Sequence, residues 1–243
     1  MRANRLAIAL LIVSGTASAA DVLQGQPTTR TGGIASAPRG SVNYTVDDGT
    51  NENNIGLNNT TAGTATQFMW FNRFDVAPAD QPLAITQVQV FWDPTPTGAA
   101  AIGNAISLEI FADGDADPAN GATHVYTQNT TIAQVGASFD IYNLTTPPEI
   151  VAPNVNVLVG VVDRWVNSGV TTTAFPAAID QGATNARSWV ASSADAANMP
   201  VPPVVPSSGL FGTIDSFGLA GNWLVRAVGD ANVPVELQSF SID

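Results

Sequence analysis

The sequence predicts an all-β chain, an antiparallel two-sheet β-sandwich with a jelly-roll-like layout, and three observations carry that expectation. About nine to eleven short runs rich in Val, Ile, Thr, Phe and Trp recur at near-regular spacing. Gly, Pro, Asn and Asp cluster between them, the residue types that supply turn geometry. No capped segment of helical period stands out in the second half of the chain. Full internal repetition is also absent, so no solenoid or propeller is expected.

The N-terminus reads as an export signal over residues 1–19. Arg2 and Arg5 give the basic start, Leu6 to Val13 the apolar centre, and Ala17-Ser18-Ala19 a small-residue cleavage site. The expected location is therefore secreted, extracellular or at the cell surface. No later run reaches the roughly 18 apolar residues that a membrane span needs, so no transmembrane segment is expected after signal removal. Residues 20–40, rich in Thr, Gly, Gln and Pro, read as a flexible leader. Residues 41–230 read as one sandwich domain and residues 231–243 as a C-terminal edge strand or spacer.

Within the domain, Ser41 to Val46 is the first strand candidate, followed by polar turns from Asp47 to Gly63. Thr64 to Val76 is dense in aromatics (Phe68, Trp70, Phe71, Phe74), which on a strand are more often core than binding surface. In Leu83 to Trp92, Val88, Val90 and Trp92 share one face while Gln87 and Gln89 share the other. Ile106, Leu108 and Ile110 alternate with Ser107, Glu109 and Phe111 in the first arm of a hairpin. Thr123 to Ile132 forms its return arm, and both arms are expected to be half exposed. Ala137 to Leu144 follows, with Phe139 and Ile141 alternating with Asp140 and Tyr142. Val155 to Val162 is apolar on both faces and reads as a central, covered strand. Thr171 to Ile179, Arg187 to Ala191 and Trp223 to Val228 complete the set. Between them, Ser192 to Gly221 is irregular, and its prolines forbid a central strand. It reads as a packed crossover holding Leu210, Phe211, Ile214 and Phe217.

The hairpin tip carries the one compact chemical constellation. Asp113, Asp115, Asp117 and Asn120 offer oxygens at alternate positions, the spacing that lets a curled backbone aim ligands at calcium, with Gly114 and Gly121 giving backbone freedom. Pro118 and His124 occupy positions where an EF-hand needs Gly and a bidentate Glu, so an EF-hand is rejected. The expected cofactor is a structural calcium ion in a hairpin-borne loop. The competing reading is a solvated turn built from turn-forming residues. Asp47, Asp48 and Glu52 form a second acidic group.

Composition excludes much else. The chain has no Cys and no Lys, which removes thiol nucleophiles, Schiff-base chemistry, phosphate-binding Lys loops and thiolate zinc sites. His124 is the sole histidine, and a lone histidine in a polar hairpin reads as an exposed bystander. The formal charge is −12, and removing Arg2 and Arg5 leaves twenty acids against six arginines, which disfavours nucleic acid and anionic lipid. Glycoside cleavage survives, since it needs only two carboxylates. Glu109 is the best-placed acid, with no readable partner. Asp163, Arg164, Asp180 and Arg187, with Trp165 and Trp189, form a polar group read as Arg–carboxylate bridging between loops. Asn43, Asn59, Asn129 and Asn143 stand in sequons read as chance occurrences in an Asn- and Thr-rich chain.

Four segments, Tyr44-Thr-Val-Asp-Asp-Gly-Thr with Ile55-Gly-Leu, Phe111 to Gly121, Val159-Gly-Val-Val-Asp-Arg164 and Arg187-Ser-Trp-Val190, resemble uncharacterised β-sandwich modules of secreted bacterial proteins. The resemblance spans Val42 to Arg226. It implies the fold and an exported setting, and brings no catalytic residues with it. The closing VPVELQSFSID is similar to the spacer that precedes C-terminal sorting tails, although no apolar anchor or basic tail follows Asp243. The expected function is structural or adhesive and non-enzymatic, stabilised by calcium, toward an extracellular glycan or cell-surface component. A carbohydrate-binding module that stacks exposed Trp or Tyr on sugar rings is the alternative. A paired-carboxylate polysaccharide hydrolase is the third.

Overall fold

The computed structural model describes residues 39–59, 64–95, 98–165, 175–194 and 198–232. The expected signal peptide, nearly all of the leader and nearly all of the C-terminal tail lie outside these residues. Sixteen strands occur among the described residues: β1 (Arg39–Tyr44), β2 (Asn53–Ile55), β3 (Leu57–Asn59), β4 (Thr64–Thr66), β5 (Phe68–Asp75), β6 (Leu83–Val90), β7 (Ala105–Asp113), β8 (Thr123–Thr131), β9 (Asp140–Asn143), β10 (Glu149–Ile150), β11 (Asn156–Asp163), β12 (Ala177–Asp180), β13 (Ser188–Ser192), β14 (Phe211–Thr213), β15 (Asn222–Trp223) and β16 (Val225–Asn232). Eight of them have four residues or fewer, which is why the sequence pattern resolves only the longer ones.

Two antiparallel sheets form the layers. One runs β1-β16-β6-β10, with β9 also on β6; the other runs β14-β13-β5-β11-β7-β8. A small sheet β15-β12-β2 and the hairpin β3-β4 complete the set, and every strand pair is antiparallel. The predicted sandwich is the fold of this chain. Its main core lies between the sheets: Phe68, Trp70 and Phe74 from β5, Leu108 and Ile110 from β7, and Val157, Val159 and Val161 from β11 meet Ile85, Val88, Val90 and Val225 from the other sheet. Trp92 meets Trp70 edge-on at 5.8 Å. Asn72 also points between the layers, and its amide donates to the carbonyls of Trp223 and Val225 at 2.8 and 2.7 Å, tying one sheet to the other. Gln67 breaks the predicted Thr64 to Val76 strand into β4 and β5.

Strand parity explains where the alternation holds. In β6 the core residues are Leu83 and Ile85, then Val88 and Val90, a switch from odd to even positions. The register against β16 shifts at Val228/Gly229, so a bulge absorbs the extra residue and keeps both halves facing inward. In β9 it is Asp140 and Tyr142 that are buried, while Ile141 is 55% exposed. Hydrogen bonds decide that inversion: the Asp140 carboxylate accepts from Ala133 N, Gln134 N and the Tyr142 hydroxyl, which itself accepts from Trp92 Nε1. A buried carboxylate so supplied with donors replaces its lost hydration.

The expectation that β7 is half exposed is corrected: every β7 residue after Ala105 is buried. The cause is the proline-rich crossover. Residues 198–210 lie as a strap across the outer face of the six-stranded sheet, where Met199 and Val205 pack with Met69, Phe71, Phe111, Leu158 and Val162 in a second apolar cluster. The strap is stitched down by Ala122 N to Val205 O at 3.4 Å and Ser192 N to Leu210 O at 2.8 Å. The crossover is therefore packed, as its sequence indicates, with Met199 and Val205 joining Ile214 and Phe211 of the expected residues. Of the four apolar residues expected to pack, Ile214 alone is fully buried, whereas Leu210 and Phe217 are 46% and 40% exposed.

Candidate functional site

The roofed outer face holds a buried polar cluster built around Glu109. Outward-facing residues of β7 fall at odd positions, so Glu109 projects beneath the strap beside Ser107 and Phe111. Across the sheet it is paired with Gly160 on β11 and Thr127 on β8. A bulge in β8 places His124 opposite Phe111 while Thr127 stays opposite Glu109. This brings two residues three apart to one face, which a regular strand would not do. Gly160 leaves the room: a Cβ there would stand 2.6 Å from Phe71 Cβ.

Glu109 Oε2 lies 3.0 Å from His124 Nε2 and accepts from Thr127 Oγ1 at 2.6 Å. Thr127 Oγ1 is also 3.0 Å from the same His124 nitrogen. The His124 ring stands edge-on to Phe111 at 5.0 Å. Arg164 closes the other side. Its Nη2 is 3.8 Å from Glu109 Oε1, its Nε donates to Ser107 Oγ at 3.1 Å, and its two terminal nitrogens donate to the strap carbonyls of Met199 and Pro200. Burial lowers the Arg164 pKa, with the charges of Glu109 and Asp163 working against the loss. Glu109 Oε1 has no hydrogen-bond partner, and the Glu109 side chain is wholly buried.

This geometry joins groups without making a relay. A triad needs the nucleophile on one imidazole nitrogen and the orienting carboxylate on the other. Here the hydroxyl and the carboxylate crowd onto Nε2 together. His124 is thus no bystander but a half-buried partner of Glu109, a contact created by a bulge that the sequence pattern does not announce.

The acidic hairpin tip is a ladder of Asx turns. Asp113 Oδ1 accepts from Asp115 N at 3.1 Å, Asp115 Oδ1 from Asp117 N at 3.0 Å, and Asp117 Oδ1 from Ala119 N at 3.0 Å. The last of these caps a single 3-10 turn that starts at Pro118. Asn120 donates its amide to Asp115 Oδ2 at 3.1 Å. Gly121 takes a φ of 105° as expected, but the other left-handed position in the loop is Ala116 at 65°, not Gly114. Among the described residues no group of three or more His, Cys, Asp or Glu side chains is gathered as a metal-binding set. The exception to self-satisfaction is Asp113, 2% exposed, whose Oδ2 is buried with no partner. Burial raises the Asp113 pKa, whereas the Asp117 N–H and the Asn120 amide lower that of Asp115.

The remaining predicted groups disperse into bridges. Asp47 and Arg226 form a bidentate pair, with the Arg226 guanidinium 4.0 Å above the Phe139 ring. Asp48, Glu52 and Asp180 gather at the turn after β12, where Asp180 accepts from Asp48 N and Gly182 N and Glu52 from Gln181 N. Arg187 pairs with Asp75 at the end of β5 and Arg164 with Glu109 inside β7, so both arginines bridge to strand carboxylates where the sequence reading has bridges between adjacent loops. Asp163 is fully buried. One of its oxygens accepts from Phe68 N at 2.9 Å, the other has no partner, and burial pushes its pKa well above the usual range. Trp70, Trp92 and Trp223 are buried, whereas Trp165 and Trp189 are partly so. Trp189 stacks on Phe71 and meets Phe211 at 5.4 Å on the outer flank of the sheet. A cavity of about 230 Å³ opens on the strap between Ser193, Met199, Pro200, Val204 and Pro206.

No protein-family model and no curated protein matches the chain. Solved structures similar to it include two from the same protein. One, described as the clostridial cysteine protease Cwp84 C116A after propeptide cleavage, is 13% identical with a TM-score of 0.48, over 79% of this chain and 40% of that one. The other holds the cysteine protease and lectin-like domains of Cwp84, a surface layer associated protein of Clostridium difficile, and is 12% identical with a TM-score of 0.44, over 79% and 36%. The chain spans about two fifths of the length of the structures it is similar to.

Proposed function

We propose that the chain is a non-enzymatic β-sandwich, exported to the cell exterior or surface, with a structural or adhesive role toward an extracellular glycan or another cell-surface component. The observation that supports this most is the fate of its reactive side chains. Glu109, His124, Thr127 and Arg164 bond to one another under a strap, and Glu109, the best-placed acid for a paired-carboxylate hydrolase, has no exposed surface. Among the described residues no helix is long and apolar enough to cross a membrane. The test is retention of the purified chain on intact bacterial cell surfaces and extracted wall polysaccharides. Retention without any change in polymer length supports the reading, and polymer cleavage overturns it.

Carbohydrate binding is the second reading, favoured by one observation: Trp189 and Phe211 lie side by side, partly exposed, on the outer flank of the sheet. Replacing Trp189 by Ala removes that platform, and glycan-array signals that do not change exclude it. Calcium at Asp113, Asp115, Asp117 and Asn120 is a finer proposal. The buried, partnerless Asp113 Oδ2 fits a cation, whereas the Asx turns of Asp115 and Asp117 must open before their oxygens join it.

A further inference from the structure

Asn120-Gly121 is the one place in the sequence where an asparagine precedes a glycine. The pairing has a chemical consequence, because glycine has no Cβ to keep its backbone nitrogen away from the side chain before it. Where a β-branched residue follows instead, as Val155 follows Asn154, Val157 follows Asn156 and Thr130 follows Asn129, two heavy atoms on Cβ crowd that approach.

The structure adds exposure and a weak hold. Asn120 is exposed and closes the single 3-10 turn Pro118–Asn120. Gly121 N donates to Pro118 O at 3.2 Å, a bond of the poorer 3-10 geometry. A lone turn at a hairpin tip opens locally long before the sheet does. By contrast, Asn72 and Asn222 are buried, and their amides donate to the main-chain carbonyls of Trp223, Val225 and Ala183.

We propose that Asn120 is a self-modification site, at which the chain exchanges its side-chain amide for a carboxylate at the rim of the acidic tip. Gly121 N, released from Pro118 O, bonds to Asn120 Cγ. The Cγ–Nδ2 bond breaks, and ammonia leaves with the proton that Gly121 N gives up. Water then opens the cyclic imide. Opening at Cγ leaves an ordinary aspartate, and opening at the main-chain carbonyl carbon leaves an isoaspartate whose chain runs through the former side chain. Either way one water enters and one ammonia leaves.

The exchange falls on a contact that the tip uses. The Asn120 amide donates to Asp115 Oδ2 at 3.1 Å, so the product sets two carboxylates face to face there. Like charges so placed favour a bound cation, and calcium affinity rises with the number of charged ligands. This second step rests on the calcium reading of the tip, whereas the conversion itself does not. The isoaspartate form also lengthens the main chain just before Ala122, whose N–H meets Val205 O at 3.4 Å where the strap lands on the hairpin.

The test is to hold the full chain in mildly alkaline buffer at body temperature and map its peptides over time by mass spectrometry. The Asn120 peptide should gain the mass difference between a hydroxyl and an amino group and split into aspartate and isoaspartate forms. Its conversion should run at least about tenfold faster than at the other asparagines among the described residues, given an unhindered glycine nitrogen. Asn120→Gln, which would have to close a larger ring, should leave that peptide unchanged. No conversion at Asn120, or conversion no faster than at the buried Asn72 and Asn222, overturns the proposal. Titration calorimetry of fresh wild type and Asn120→Asp then separates the two steps. Tighter calcium binding by Asn120→Asp supports the link to the ion. Equal heats, or no calcium heat in either chain, overturn that link or the calcium reading while the observed conversion still supports the site.

Discussion

Replacing Arg164 with Met should destabilise the protein more than any exposed arginine change, because the guanidinium serves two structures together. It is the arginine beside the wholly buried Glu109 carboxylate, 3.8 Å from Oε1, and it donates to the strap carbonyls of Met199 and Pro200 and to Ser107. Met keeps the apolar stem and removes every one of these bonds. Leaving a buried charge without its counter-charge costs about 3–5 kcal/mol. Against a total stability of about 5–15 kcal/mol, that is a large fraction. At roughly 2–4 °C per kcal/mol for a chain of this size, the melting temperature should fall by roughly 10 °C. Urea unfolding of the wild type, Arg164→Met, Glu109→Gln and the double variant supplies the assay. The double variant should recover part of the loss, because removing the carboxylate removes the orphaned charge. Hydrogen exchange should show Met199 N and Ala122 N, both bonded across the strap, opening before the core strands. A loss under about 1 kcal/mol, or a double variant no better than Arg164→Met alone, refutes the reasoning.

Asp163→Asn should stabilise the protein at neutral pH. The folded pKa of Asp163 is raised, so the folded state binds the proton more tightly than the unfolded one, and its contribution to stability falls as pH rises from the unfolded value of 3.8 through the folded one. Denaturation at pH 4 and pH 7 should show the variant little changed at the lower pH and gaining on the order of 1–3 kcal/mol at the higher; a gain confined to pH 4 contradicts the burial argument. Gly160→Ala should cost about 1–3 kcal/mol or more through overpacking, since its Cβ would meet Phe71 Cβ at 2.6 Å in the central strand, and an unchanged urea midpoint would place the β5–β11 spacing in error. Millimolar calcium should raise the melting temperature above that in chelator, with the increment lost in Asp113→Asn, and superimposable wild-type curves eliminate the ion from the proposal.

The layers of this fold were legible because period-two patterning reports burial directly. Val88, Val90 and Trp92 sit in the core, and the doubly apolar Val155 to Val162 run became the central β11. What pattern could not carry was contact made through distant chain. β7 looked half exposed because nothing local reveals that Met199 and Val205 return to cover it. The same return supplies the Met199 and Pro200 carbonyls that hold Arg164 beside Glu109. His124 departs from the bystander expectation for a different reason: one bulge changes strand parity, and a bulge leaves no reliable mark in polar Thr- and Gln-rich sequence. Asp140 and Ile141 exchanged the faces their polarities suggest because three donors await the carboxylate, two of them backbone groups with no side-chain signature. At the acidic tip the spacing that suits calcium ligands is also the spacing of turns, and alternate Asp residues spend one oxygen each on the amide two positions ahead.

The central claim is that the polar cluster under the strap holds the fold and performs no bond-breaking. Incubating the purified chain with bacterial wall polysaccharides and with denatured protein, then measuring new reducing ends and new amino termini, tests it most directly. Wild type and Glu109→Gln should give the same background, with the variant differing in stability alone. Turnover in the wild type that disappears in a folded Glu109→Gln would contradict the account.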